Sequence, residues 1–335
     1  MENINQDLAH QEISNAQNNA DFFQLSQDIA ALRVEIGKVI VGQEKAIELI
    51  IVAILTDGHV LLEGVPGVAK TLIANLVAKT ISTDFKRIQF TPDLMPSDVT
   101  GTSIFNSKTS EFEFKKGPIF SNIVLIDEIN RSQAKNQASL FEVMQERQVT
   151  VDGITMPMSY PFLIIATQNP VEQEGTYQLP EAQLDRFMFK INIGYPSLEQ
   201  EIEILNRKNN TNDQQELKLI NPILNPEKIK QYRSQISNIQ INNALIKYIA
   251  KIVNATRKNK SLYLGASPRA SIALLNGAKA LAAIHGRNFV TPEEIKFLAP
   301  SVLDHRIVLS PEREMEGVTK SEVVEEIVNS VEIPR

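Results

Sequence analysis

Residues 59–78 read HVLLEGVPGVAKTLIANLVA, and this stretch decides the fold. An apolar run, Val60 to Leu62, precedes a loop with two glycines, and a helical pattern from Leu72 to Ala78 follows it. A strand, a glycine-containing loop and a helix in this order direct backbone amides and the positive end of the helix at phosphate oxygens. We therefore predict a phosphate-binding loop made of Gly64, Val65, Pro66, Gly67, Val68, Ala69, Lys70, Thr71 and Leu72.

The last residues of this loop carry the side chains that a nucleotide site needs. We expect Lys70 to reach the β- and γ-phosphates and the Thr71 hydroxyl to ligate Mg²⁺. Ala69 stands where the usual pattern has glycine, which makes the loop alone a less specific signal. The alternative for the loop taken by itself is an ordinary strand–helix turn that contains glycine.

Two acids end a second apolar run, residues 123–128, which read IVLIDE. Asp127 at the end of a strand could hold magnesium through water, and Glu128 could polarise an attacking water molecule. The alternative is a solvated strand end at which acids happen to fall. The phosphate loop upstream favours the catalytic interpretation.

A polar strand end follows in residues 166–170, ATQNP. Asn169 could donate a hydrogen bond to the γ-phosphate and orient the water. Asn-Pro is also a common start of a turn, so this residue is uninformative alone. Its assignment depends on the order of phosphate loop, acidic pair and polar strand end, which we expect at one edge of a sheet.

Arginines are candidates for stabilising a transition state whose charge is spread over phosphate oxygens. Arg186 lies in the run LDRF, and Arg269 lies in the first turn of a helix that begins at Ser267-Pro268. Arg131 is a third candidate with weaker support. A surface ion pair is the better interpretation for any arginine that no other feature singles out.

The middle of the chain alternates short strand-like runs with helical patterns, which predicts an α/β fold with a mainly parallel sheet. Two runs, at 123–126 and 162–166, lack the alternation of a half-exposed strand, so we expect helices on both faces. Hairpins are predicted near residues 105–114 and at 149–156, where Asp152-Gly153 is a favoured turn. The core strands are predicted at His59–Glu63, Phe85–Phe90, Ile123–Asp127, Phe162–Thr167 and Phe187–Ile193.

The chain divides into three predicted segments: a polar, mobile tail at 1–24, an α/β domain at 25–195 and a helical domain at 196–335. After Tyr195-Pro196 the strand signals fade and the rest reads as helical. Helix starts are marked by a capping residue before proline at Asn225-Pro226, Ser267-Pro268 and Thr291-Pro292.

Composition excludes several kinds of site. The chain has no cysteine and only four scattered histidines, which excludes thiolate chemistry and argues against a histidine metal centre. The net charge of −6 argues against a nonspecific nucleic-acid binder. No segment predicts a membrane span or a secretory signal, and we expect a soluble, cytoplasmic protein.

Several motifs in the same order make the chain similar to the AAA+ ATPases, and more narrowly to the MoxR family. The resemblance extends from about Ile36 to Leu309. It rests on GVPGVAKT (64–71), RIQFTPDLMPSDVTG (87–101), ATQNP (166–170), GTYQLPEAQLDRF (175–187) and GASPRA (265–270).

The resemblance implies an αβα nucleotide-binding core and a helical lid that hold ATP between them. It makes Lys70 and Thr71 the first nucleotide motif, and Asp127 and Glu128 the second. Asn169 matches the first sensor; whether Arg269, the second sensor, acts on its own or a neighbour's nucleotide stays open. Arg186 matches a finger offered to the next subunit, and the hairpins match inserts that face partners or a ring pore. The segment near the adenine in such proteins is matched by Val41, Gly42 and Gln43.

The family also implies a ring, usually a hexamer, that uses Mg²⁺ and ATP to remodel or activate a separate protein. Partners often carry a von Willebrand factor A domain and take part in complex maturation or metal insertion, as with the magnesium chelatase motor subunit. A nucleic-acid motor is an alternative, which the negative charge and the few lysines of the 102–117 insert disfavour. A nucleotide-gated scaffold with little turnover is another.

Overall fold

The computed structural model describes residues 22–170, 177–210 and 217–334. The described residues form two compact units: those of Val34–Pro226 make up one, and those up to Arg33 together with those from Glu227 onward make up the other. The domain boundary at residue 195 stays a prediction. Most of the predicted tail lies outside the described residues, but helix α1 (22–37) already includes its last three, and Phe22 is buried.

The strands in the described part of the 34–226 unit are β1 (Val60–Glu63), β2 (Phe85–Gln89), β3 (Gly101–Asn106), β4 (Glu111–Lys116), β5 (Ile123–Asp127), β6 (Gln148–Val151), β7 (Ile154–Pro157), β8 (Leu163–Gln168) and β9 (Phe189–Asn192). Five of them form a parallel sheet in the order β2-β5-β8-β1-β9. The helices of this unit are α2 (Glu44–Leu55), α3 (Lys70–Thr80), α4 (Pro96–Thr100), α5 (Ala134–Glu146), α6 (Glu181–Leu184) and α7 (Leu198–Asn210).

The central strands are buried on both faces, as their unbroken apolar runs predict. On one face Val124 and Ile126 of β5 and Ile164 of β8 share a core with Leu140 and Phe141 of α5. On the other side of the sheet, α3 packs against β2 and β5. The predicted α/β fold with a parallel sheet is confirmed.

The strands end together at one edge of this sheet. Glu63 lies opposite Gln168 and Asn192, and Gln89 lies opposite Asp127. Because apolar side chains fill the sheet interior, the polar residues at the strand ends come side by side at its carboxyl edge.

Both predicted hairpins form. Strands β6 and β7 pair around Asp152 and Gly153, whose φ angles of 52° and 78° suit a tight two-residue turn. Strands β3 and β4 pair along their full length and carry the edge-to-face pair Phe105 and Phe112. The Ser103 hydroxyl donates to the Asp152 carboxylate, so the two hairpins touch.

The other unit contains helices α8 (Pro226–Ser237), α9 (Asn243–Lys258), α10 (Pro268–Ile284), α11 (Pro292–Leu303), α12 (Pro311–Met315) and α13 (Lys320–Ser330). Helix α10 packs against α9 and α11, and α11 packs against α13. The helix starts predicted at Pro226, Pro268 and Pro292 are confirmed. The prediction that this region is entirely helical is wrong, because β10 (Leu262–Leu264) and β11 (Val308–Leu309) form an antiparallel pair. These strands are too short to carry a periodic signal and pair across more than forty residues.

In the described part of the chain, we find no helix whose length and apolar character would let it cross a bilayer.

The start of α11 is held by a buried carboxylate. The Glu294 side chain is 1% exposed and accepts hydrogen bonds of 2.7 Å from both the backbone N–H and the hydroxyl of Thr291. Arg287 pairs with the same carboxylate. Burial by itself would raise the pKa of Glu294, but contacts with His285, Thr291 and Arg287 outweigh it and hold that pKa below its ordinary value.

We predict that Glu294→Gln destabilises this unit in a pH-dependent way. A lowered folded pKa contributes stability above the ordinary glutamate pKa, and this contribution is lost as pH falls through the folded value. The variant should lower the free energy of unfolding by about 1–3 kcal/mol at neutral pH, since a buried charged hydrogen-bond network loses its anion. The difference in free energy of unfolding between the variant and wild type should become smaller as the pH is lowered.

Thermal unfolding midpoints measured across acidic and neutral pH test this. Glu325→Gln, an exposed glutamate on α13, is the matched control. If the thermal midpoints of Glu294→Gln and wild type differ by the same amount at every pH, the effect does not come from the Glu294 carboxylate.

Candidate functional site

A pocket of about 360 Å³ lies at the carboxyl edge of the sheet. It is formed by the loop between β1 and α3 and by the ends of β5 and β8. Its lining residues are Pro66, Gly67, Ala69, Lys70, Thr71, Leu72, Asp127, Glu128, Thr167 and Asn169. Every one of these except Thr167 was predicted from the sequence as a site residue.

The loop owes its shape to residues in the left-handed conformation. Gly67 has φ +88°, and Ala69, directly before α3, has φ 61° and ψ 22°. A left-handed alanine costs about 1–2 kcal/mol relative to the right-handed form, so the site retains local strain where glycine would have none. Left-handed residues within a turn let successive backbone N–H groups face one concavity, which suits an anion.

Gly64 is required for a different reason, which is close packing. A Cβ at this position would lie 2.6 Å from the carbonyl oxygen of Ile193, just after β9. The first residue of the loop therefore packs directly against the backbone that follows β9, where a larger side chain would not fit.

Lys70 and Thr71 occupy the first turn of α3, where the helix N-terminus favours negative charge. The Lys70 Nζ donates to the carbonyl oxygen of Gly64 at 2.5 Å and to that of Val65 at 3.3 Å. The ammonium group is thus held inside the curve of the loop, beside the pocket.

Asp127 is fixed from two sides. The Thr167 hydroxyl donates to its Oδ1 at 2.5 Å. Arg87 on β2 donates to its Oδ2 from Nε at 3.1 Å and from Nη2 at 2.6 Å. The carboxylate is 14% exposed and the arginine side chain 49%, so the threonine forms the buried contact and the arginine the exposed one.

Glu128 lies in the left-handed region with φ 57°. Its backbone N–H donates to Thr167 Oγ1 at 2.9 Å. Its Oε2 accepts from Gln89 Nε2 at 2.7 Å and pairs with Arg131 Nε at 3.1 Å. Arg131, the weaker arginine candidate, is therefore a partner of the second acid.

Sequence reasoning missed Arg87, Gln89 and Thr167. Arg87 and Gln89 are two residues apart on β2, so their side chains lie on the same face of the strand. Nothing in the sequence says that β5 is the strand that pairs with β2. Thr167 had a visible signal, because it is a polar residue that closes the apolar run 162–166.

Residues 41–43, the segment predicted to lie near the adenine, contact residues 194 and 200 of the same unit. Gln43 Nε2 donates to the carbonyl oxygen of Gly194 at 3.1 Å, and Gly42 lies against the side chain of Gln200. Of the predicted loop residues, Gly64 and Val68 are buried. The roles of these residues stay predictions.

Arg186 lines a separate groove along α5 and α6. Its Nη1 donates to the carbonyl oxygen of Phe141 at 3.0 Å, and its guanidinium lies 6.0 Å from the Phe141 ring centroid. Arg269 belongs to the other unit, where its N–H donates to the capping hydroxyl of Ser267 at 3.1 Å. The finger and sensor roles of these arginines stay predictions.

The metal-ligating side chains of the pocket fit a metal ion that binds together with a nucleotide. Among residues 22–170, 177–210 and 217–334, no group of three His, Cys, Asp or Glu side chains could hold an ion alone. Magnesium is commonly bound by one or two carboxylates together with substrate phosphates. The Thr71 hydroxyl and the Asp127 carboxylate line one pocket and suit that arrangement.

Comparison with known proteins identifies the family of the chain. Residues 59–189 match the family model described as "ATPase family associated with various cellular activities (AAA)", and residues 254–327 match that of the AAA lid domain. A solved structure from Cytophaga hutchinsonii, assigned as an ATPase, has a TM-score of 0.88 and 45% identity. The match covers 97% of this chain and 99% of that one.

Related proteins narrow the family. The YeaC protein of Bacillus subtilis is 48% identical over 89% of this chain and 92% of its own length. The chaperone MoxR1 of Mycobacterium tuberculosis is 44% identical over 90% of this chain and 81% of its own. A magnesium-chelatase subunit homologue of Methanocaldococcus jannaschii is 27% identical over 57% of this chain and 51% of its own. At the first two of these identities, over nearly the whole chain, the protein belongs to the MoxR family of AAA+ ATPases and is an ATP hydrolase.

Proposed function

We propose that this ATPase hydrolyses Mg-ATP in the pocket at the carboxyl edge of the sheet and uses the energy to remodel or activate a separate protein. One observation carries the proposal: Lys70, Thr71, Asp127, Glu128 and Asn169 line the same pocket. These are a cation, a hydroxyl, two acids and an amide, which phosphoryl transfer to water requires in one place.

Each side chain has a task in this proposal. Lys70 and the N-terminus of α3 bind the phosphates, and Asn169 donates to the γ-phosphate. Thr71 and Asp127 hold Mg²⁺, which when bound neutralises charge on the phosphate oxygens. Glu128 accepts the proton of the attacking water, and its backbone geometry sets the direction of that carboxylate.

A ring, a hexamer as in the family, is the second part of the proposal. Arg186 lies in a groove along α5 and α6, not in the lining of the nucleotide pocket within the described residues. This supports a role in which Arg186 completes the pocket of a neighbouring subunit. Arg269 is proposed as the second sensor, on its own or a neighbour's nucleotide.

The partner is proposed from the relatives and from the hairpins. One relative is named a chaperone and another a magnesium-chelatase subunit homologue, which supports protein remodelling and metal insertion or complex maturation. We propose a protein with a von Willebrand factor A domain as the client. The exposed side chains of Phe105, Phe112 and Ile154 on the hairpins are suited to contact it.

Glu128→Gln should abolish most turnover and leave nucleotide binding intact. The amide keeps the size of the side chain but cannot accept a proton, and loss of a general base costs about 10²–10⁴-fold in rate. The measurements are steady-state phosphate release and the affinity for a fluorescent ATP analogue. Glu326→Gln, an exposed glutamate on α13, is the control. Unchanged turnover in Glu128→Gln would refute the assignment.

Arg186→Gln should reduce hydrolysis about 10³-fold or more if the residue acts as an arginine finger, while sparing nucleotide affinity. Lys70→Ala should fail to bind nucleotide but still carry Arg186. A mixture of the two should then hydrolyse more ATP than the sum of the separate variants.

Mixed assemblies are verified by native mass spectrometry on the same samples. If mixed assemblies form and activity does not exceed the sum, the arginine does not act across a subunit interface. A thermal unfolding scan controls for the lost Phe141 contact in Arg186→Gln.

A further inference from the structure

We propose that Thr167 is a positioning residue that sets both acids of the hydrolytic site through one hydroxyl group. The inference rests on the proposed function of the pocket and deepens it. Thr167 itself need not touch the nucleotide to act in this way.

The hydroxyl of Thr167 bonds to both acids. It donates to Asp127 Oδ1 at 2.5 Å and accepts from the Glu128 N–H at 2.9 Å. A hydroxyl has one hydrogen to donate, so this donor is committed to Asp127. The residue is 1% exposed, so water does not compete readily for these bonds.

Strand register explains why a threonine reaches both residues. Strands β5 and β8 pair in parallel with Ile126 opposite Ala166. The next residue of each strand is Asp127 and Thr167, which brings them level at the edge of the sheet. A β-branched side chain has few χ1 rotamers, so the hydroxyl is held in direction as well as in place.

The two bonds have different effects. The bond to Oδ1 fixes the plane of the Asp127 carboxylate, because Arg87 holds only the other oxygen and is itself half exposed. The bond to the Glu128 N–H secures a left-handed residue. Without it this backbone could relax toward a less strained conformation, which would turn the Glu128 side chain away from its task.

A merely structural role is the alternative: Thr167 would then only satisfy buried polar atoms, and its loss would cost stability alone. The two roles differ in the Mg²⁺ dependence of nucleotide binding. A misoriented Asp127 weakens the contribution of the metal but leaves metal-free nucleotide binding unchanged.

The test compares Thr167→Val, which keeps the shape but removes the hydroxyl, with Thr167→Ser, which keeps the hydroxyl. Thr80→Val is the matched control. Thr80 is 0% exposed and lies in the same unit, and its hydroxyl shares its one hydrogen between two carbonyl oxygens of its own helix, those of Leu76 and Val77. Binding of a fluorescent ATP analogue is titrated with and without Mg²⁺, alongside kcat, KM and the thermal midpoint.

Thr167→Val should lower kcat about 10–100-fold, with KM within about threefold, because small misplacements of catalytic groups cost this much. The Mg²⁺ concentration that gives half-maximal enhancement of binding should rise about tenfold, as is common for lost outer-sphere partners of metal ligands. Thr167→Ser, which keeps the hydroxyl but loses the β-branch, should retain more kcat and Mg²⁺ dependence than Thr167→Val. Thr80→Val should lower only the thermal midpoint.

Wild-type kcat and Mg²⁺ dependence in Thr167→Val would overturn the inference. So would equal losses in Thr80→Val, which would make the effect one of stability. If Thr167→Val does not fold, Thr167→Cys replaces it, since the thiol is a weak donor of similar size, and the same losses are expected. Failure of the proposed function would look different: wild type would lack Mg²⁺-dependent hydrolysis, or Lys70→Ala would bind nucleotide normally.

Discussion

The parallel pairing of β5 with β8, buried on both faces of the sheet, is the constraint on which the candidate site depends. Apolar side chains fill the length of both strands, so polar residues have room only where the strands end. The register then decides which of these residues meet. Asp127 comes level with Thr167 and opposite Gln89, and the hydrogen bonds around both acids follow from that alignment.

Two positions of local backbone strain lie at the same edge. Ala69 and Glu128 are left-handed residues other than glycine, and both line the pocket. Strain of this kind persists only where the surrounding structure holds it in place. Here α3 holds the loop after Ala69, and the Thr167 hydroxyl holds the backbone after Asp127. The site is therefore shaped by contacts between strands as well as by its own residues.

The sequence predicted the parallel sheet, the helix starts and most of the pocket lining. These features are local, since a buried strand, a capping residue before proline or a glycine-containing loop is visible in a few consecutive residues. The Asp152-Gly153 hairpin was predictable for the same reason. Strands β10 and β11 were not, because each is short and its pairing joins distant parts of the chain.

By itself, the sequence determined the phosphate loop, the two acids at a strand end and the polar residue after the next buried strand. Each of these depends on residues that are neighbours along the chain. Only the tertiary structure decided that Arg87 and Thr167 bind opposite oxygens of Asp127, and that Gln89 binds Glu128. Those contacts depend on strand order and register, and both are set by packing of the whole sheet, which no single stretch of sequence records.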